Sequence, residues 1–170
     1  MIVIAMLAAA AGGARWWYDQ RVAEYDRQQR ICMELDDARI TALWSYQGPT
    51  LWDAWKWLDR PLFRQPTHVY CDDATDDAVA EQAGRLARIN VQTLTLLGRQ
   101  IMPHARAAEQ GQRHALIDAL RAHPTLKHVV VDASIRGTPL EFDSPTYTRE
   151  DLALLQKLLP NVEIQWIEVN

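Results

Sequence analysis

Four short segments of this 170-residue chain repeat one pattern, and that repetition limits the fold more than any single motif does. They occupy residues 66–71, 91–96, 126–131 and 159–164. Each puts apolar side chains at its fourth and sixth positions: Val69 and Cys71, Leu94 and Leu96, Val129 and Val131, Val162 and Ile164. That alternation is the signature of a strand with one buried face. Helix-entry chemistry follows three of the four. Thr75-Asp76-Asp77 opens a helix over 78–87, Pro103 opens one over 105–122, and Thr148 with Glu150 and Asp151 opens one over 152–159. Threonine caps free N–H groups, carboxylates favour the positive end of the helix dipole, and proline suits a first turn. Strand, helix and strand at this spacing require right-handed crossovers and a parallel sheet.

From these residues the chain resembles a leucine-rich-repeat protein. The family pattern L-x-x-L-x-L-x-x-N-x-L falls on Val91, Leu94, Leu96, Arg99 and Ile101, with Arg99 in the asparagine place. The third unit keeps Leu126, Val129 and Val131, then has Ser134 and Arg136; the first has Pro66, Val69, Cys71, Ala74 and Asp76. Residues 75–78 look like the turn into helix of bacterial members, and 158–164 look like the closing segment of such arrays. The unit starts at 66, 91, 126 and 159 differ by 25, 35 and 33, beyond the usual period after the first interval. Part of the excess is an insertion at 133–147. The resemblance covers about 64–170. It implies an α/β fold, a short leucine-rich-repeat-like array with a parallel sheet, preceded by N-terminal helices. A generic small α/β domain shows the same alternation.

Before the repeats, residues 2–14 carry no charge and are followed by Arg15, Trp16, Trp17 and Tyr18. A thirteen-residue helix spans about 20 Å, short of the roughly 30 Å hydrocarbon core, and the aromatic triplet extends it to a marginal span. We read 1–18 as a membrane helix or signal-anchor, with Arg15, Trp16, Trp17 and Tyr18 at the membrane interface. A cleaved leader, a start lying upstream, and a buried helix of a soluble domain are the alternatives. Arg15, Arg21, Arg27 and Arg30 all follow the span, which places the body in the cytoplasm; an upstream basic segment would reverse that. Residues 19–63 read as a helical connector and a Trp-rich capping segment. There Thr50 caps a short helix with Leu51, Trp55, Leu58 and Leu62 on one face.

Chemistry is sparse. The net charge of −4 and pI near 5.7 argue against nucleic acid as a partner, since no basic stripe offsets the deficit. Serine occurs only at 45, 134 and 144, without a nucleophile elbow, and no phosphate loop or dinucleotide fingerprint exists. The acidic group Asp72, Asp73, Asp76 and Asp77 reads as helix entry rather than a metal site. His68 and Cys71 point to opposite faces of their strand, and His104, His114, His123 and His128 have no ligand spacing. Cys71 packs as a small hydrophobe, and Cys32 has no activating cation. No catalytic, metal or cofactor residue is assigned. The 133–147 insertion is the segment singled out for partner binding, through Arg136, Phe142 and Tyr147. The resulting expectation is a non-catalytic, membrane-anchored module that binds a protein partner by its sheet face and this loop. A structural accessory subunit of a membrane complex is the alternative.

Overall fold

The alternation seen in the sequence is the one the sheet uses. A computed structural model describes residues 2–47, 63–71, 73–132 and 148–167, with 2–10 as backbone only. In chain order the elements are α1 (Ile2–Asp36), β1 (Thr41–Tyr46), β2 (Arg64–Tyr70), α2 (Asp76–Glu81) and α3 (Ala83–Leu86). β3 (Thr93–Leu97), α4 (Gly98–Glu109), α5 (Ala115–Arg121), β4 (His128–Asp132), α6 (Arg149–Leu158) and β5 (Glu163–Ile167) follow. The five strands lie side by side in sequence order; β1 is antiparallel to β2 and every later pair is parallel.

Register confirms the phase of the first three repeats. His68, Thr93 and His128 stand opposite one another, as do Val69, Leu94 and Val129. The fourth unit slips by two residues, so that Val129 faces Ile164 rather than Val162. A two-residue slip preserves the side-chain face, and Ile164 still packs against the core while Val162 is buried just before β5. All six side chains expected in one interior (Leu94, Leu96, Val129, Val131, Val162 and Ile164) belong to it. Every described helix adds to the same cluster: Leu35 from α1, Val79, Leu86, Ile101, Leu116 and Leu155 from the others.

The membrane anchor is corrected. Among the described residues no helix is long and apolar enough to cross a membrane. The reason is the continuity of α1. Its apolar start ends at Arg15, and the same helix runs on through Asp19, Arg21, Glu24, Asp26 and Arg27 to Asp36. No window of about 20 apolar residues exists in it. The supposed interface residues are ordinary helix surface: Trp16 and Trp17 are 66% and 47% exposed, Arg15 pairs with Asp19 at 3.2 Å, and Tyr18 is half-buried. Farther along, α1 turns inward. Cys32, Leu35 and, after the turn, Ile40 enter the core, so part of the expected connector belongs to the sheet's packing.

Two other differences are local. The strand β1 was not expected; it is bulged between Leu43 and Trp44, which breaks its alternation. The long helix over 105–122 is two helices. α4 starts at Gly98, directly out of β3, with Pro103 inside it, and the chain breaks after Gln110 at Gly111, whose φ of 82° needs glycine. Gln100 sets that early start. It is fully buried; its side-chain oxygen accepts the Leu97 N–H (2.8 Å), and its amide donates to the Cys71 and Ala74 carbonyls (2.7 and 2.8 Å).

His123 locks the turn into β4. Its Nδ1 accepts the Leu126 N–H (3.0 Å), which fixes Nε2 as the protonated nitrogen donating to the Leu86 carbonyl (3.1 Å). Burial pulls its pKa below 6.5, against the backbone carbonyls of Ile89 and Leu86, which raise it. A pKa lowered by folding leaves stability whole above the unfolded value and removes it as pH falls below about 6.5. His104, packed against His114 with ring centroids 3.8 Å apart and planes tilted by 31°, shifts the same way through burial and its histidine neighbour, opposed by Asp76 and Asp77. We therefore expect unfolding free energy to decline between pH 7 and pH 5. In urea titrations across that range, His123→Gln should start less stable and decline less steeply; an identical slope would contradict the assignment.

Candidate functional site

Because all described helices lie on one side of the sheet, the other side is where the strands present chemistry. The ladder places its side chains in rows. One row runs Leu43, His68, Thr93, His128, Glu163; the next runs Thr41, Tyr70, Thr95, Val130, Gln165; a shorter third holds Leu97, Asp132 and Ile167. These are the residues between the inward apolar ones, placed outward by the strand period of two.

Within this face the contacts are ordered. The His68 and Tyr70 rings stack at 4.1 Å with planes 4° apart, and His68 Nε2 lies 2.7 Å from Thr95 Oγ1. His128 Nδ1 stands 3.1 Å from Glu163 Oε2. Thr95 and Val130 are buried at mid-sheet, whereas Leu43 and Ile167 near the two edges are 49% and 46% exposed. An aromatic pair braced by a hydroxyl, with apolar side chains toward the rims, is suited to recognition by shape and hydrogen bonding. Five strands about 4.8 Å apart and five residues long make a face of roughly 400 Å². A standard interface takes about 800 Å² from each side, so a partner gripping this face must also reach the flanking loops.

The residues singled out from the sequence are distributed differently. Arg136, Phe142 and Tyr147 lie outside the described residues, as does the Trp-rich helix expected after Thr50. His68 and Cys71 do point apart: His68 stacks outward and Cys71 is buried in the core. Burial pushes the Cys32 thiol up to about 11, a hydrogen bond with Trp44 opposing it, which leaves it protonated at neutral pH. Sequence reasoning considered His68 only as a ligand and passed over Tyr70. The signal was available at the third and fifth positions of the first three repeats, which read His and Tyr, Thr and Thr, His and Val.

Of the acidic group, Asp72 lies outside the described residues, and Asp76 and Asp77 are built into helix entry. Thr75 Oγ1 accepts the Ala78 N–H (3.3 Å), Asp76 and Asp77 stand in the first turn of α2, and Asp76 pairs with Arg99 of α4 at 3.2 Å. Among the described residues no three His, Cys, Asp or Glu side chains are grouped to hold a metal ion. Each carboxylate at such a position contributes a few tenths to about 1 kcal/mol, screened by salt. The double variant Asp76→Asn/Asp77→Asn should melt slightly lower than the parent, with the gap closing in 1 M salt. Saturable stabilisation of the parent by millimolar magnesium, lost in the variant, would contradict this.

Asp151 joins two helices. It accepts the Thr148 N–H (3.0 Å) at the start of α6 and pairs with Arg106 of α4 at 2.8 Å. Burial raises its pKa, but the Thr148 N–H and Arg106 outweigh that and hold it below the usual carboxylate range. No family model, curated protein or solved structure matches the chain.

Proposed function

We infer that this chain is a non-catalytic protein-binding module of short leucine-rich-repeat-like build, and that it grips its partner with the face of the sheet opposite the described helices. The observation that carries the reading is the ordered set on that face: the His68–Tyr70 stack hydrogen-bonded to Thr95, flanked by exposed Leu43 and Ile167. Strands β2 to β5, parallel and in sequence order with the described helices on one side, support the repeat-like build, since each unit adds one strand and returns on the same side. The face is rigid, because its strands are anchored from behind by fully buried side chains.

The test compares affinity captures from the native source using the parent, Leu43→Arg and Gln165→Arg on the face, and Arg113→Glu away from the strands. All three positions are exposed, so the variants are expected to fold. The reading requires a defined partner retained by the parent and Arg113→Glu and lost by both face variants. A partner retained by the face variants but lost by Arg113→Glu would move the binding surface elsewhere.

A further inference from the structure

Away from the sheet face, α1 and the β1–β2 ribbon enclose a pocket of about 150 Å³. A water molecule takes about 30 Å³ of liquid, so the space suits one substituted ring or about five waters. Most of its lining is polar, and one side is aromatic. Tyr25 and Trp44 meet with centroids 5.3 Å apart and planes tilted by 59°, and Phe63 and Pro66 complete the apolar lining.

Among the polar groups, Gln47 and Gln65 are hydrogen-bonded to each other, the Gln65 amide donating to Gln47 Oε1, and the others fall into two sets with different duties. Glu24, Gln28 and Asn90 are occupied with one another. Glu24 Oε1 accepts from Arg27 (2.9 Å), Gln28 (2.9 Å) and Asn90 (3.0 Å), while Gln28 also donates to the Arg88 carbonyl and accepts the Asn90 N–H. The Glu24 charge is therefore matched by Arg27. Arg21 and Arg64 are the second set. Both line the pocket, both are exposed, and neither has a carboxylate partner among the described residues. Arg21 is steadied instead over the Trp17 ring at 5.9 Å. Two unneutralised guanidinium groups beside an aromatic slot make a site for a flat ring that carries a negative charge.

We propose that the pocket formed by Tyr25, Trp44 and Phe63 with Arg21 and Arg64 binds a small aromatic carboxylate, its ring against Trp44 and its carboxylate at the arginines. A free aromatic acid and the C-terminal phenylalanine of a peptide share that chemistry. This site is independent of the sheet face, and either can fail without the other.

The experiment follows the Trp44 indole N–H signal of the full chain by NMR, assigned from the spectrum of Trp44→Phe, during titration with phenylacetate. Phenylacetamide lacks the charge, and acetate lacks the ring. The expected result is a saturable shift with phenylacetate, at least tenfold weaker binding of both controls, and at least tenfold loss in Arg21→Gln and Arg64→Gln. Arg113→Gln should bind as the parent does. Retained signal dispersion shows that the arginine variants are folded. N-acetyl-glycyl-phenylalanine separates the two sources: tenfold tighter binding than phenylacetate identifies a chain terminus, and weaker binding identifies the free acid. Absence of saturation, equal binding of phenylacetamide, or undiminished binding in both arginine variants would overturn the proposal.

Discussion

Replacing Gln100 with leucine is expected to cost about 3–5 kcal/mol. The side chain is fully buried and makes three hydrogen bonds, to Leu97 N–H and to the carbonyls of Cys71 and Ala74. Leucine fills much the same space but satisfies none of them. Each buried backbone group left without a partner costs about 1–3 kcal/mol. The Cys71 carbonyl keeps a second bond from the Ala74 N–H at 3.0 Å, which places the total below the simple sum. Against a stability of about 5–15 kcal/mol for a domain of this kind, the loss is a large fraction. Urea unfolding at pH 7 measures it, and a change under about 1 kcal/mol would mean that Gln100 does not tie β2's exit to the start of α4.

Truncating Leu96 to alanine should cost about 2–4 kcal/mol, because it is fully buried between the sheet and the helix layer. Ile167→Ala, on the opposite face and 46% exposed, should change stability by no more than about 0.5 kcal/mol. The contrast within one sheet is the informative quantity. Equal losses at both positions would show that the two faces are equally packed and would remove the open face from the account.

The strands β2, β3 and β4 were legible because a period of two needs only a few residues to declare itself. Val69, Leu94 and Val129 stand at the same place in their repeats and at the same level in the sheet. The fourth strand was legible in kind but not in level, since a slip of two leaves the apolar pattern unchanged. The strand β1 was hidden by its bulge, and the start of α4 by Gln100, whose side-chain bonds depend on residues about thirty positions earlier. Local reading favoured Pro103 as the first turn because proline is common there; tertiary hydrogen bonds moved the start five residues upstream.

The N-terminal helix misled for a related reason. Composition over 2–14 resembles a short span, but what decides a membrane helix is the length of uninterrupted apolar sequence. The helix acquires Arg15, Asp19, Arg21 and Glu24 within its next turns. The candidate face was partly legible: the sheet was named as a recognition surface, whereas the stack of His68 on Tyr70 depends on ring orientation, which residue order does not carry. The arginine-rimmed pocket was not legible at all. It gathers Tyr25, Trp44 and Phe63 from three separate stretches of chain.

The most direct test of the sheet face as the binding surface is site-specific photocrosslinking in cells that produce the protein. A photoreactive phenylalanine analogue is introduced singly at Leu43 and Gln165 on the face, and at Arg88 and Arg113 away from the strands. The account predicts one discrete protein adduct shared by Leu43 and Gln165 and absent from Arg88 and Arg113. An adduct obtained from Arg88 or Arg113 and from neither face position would contradict it.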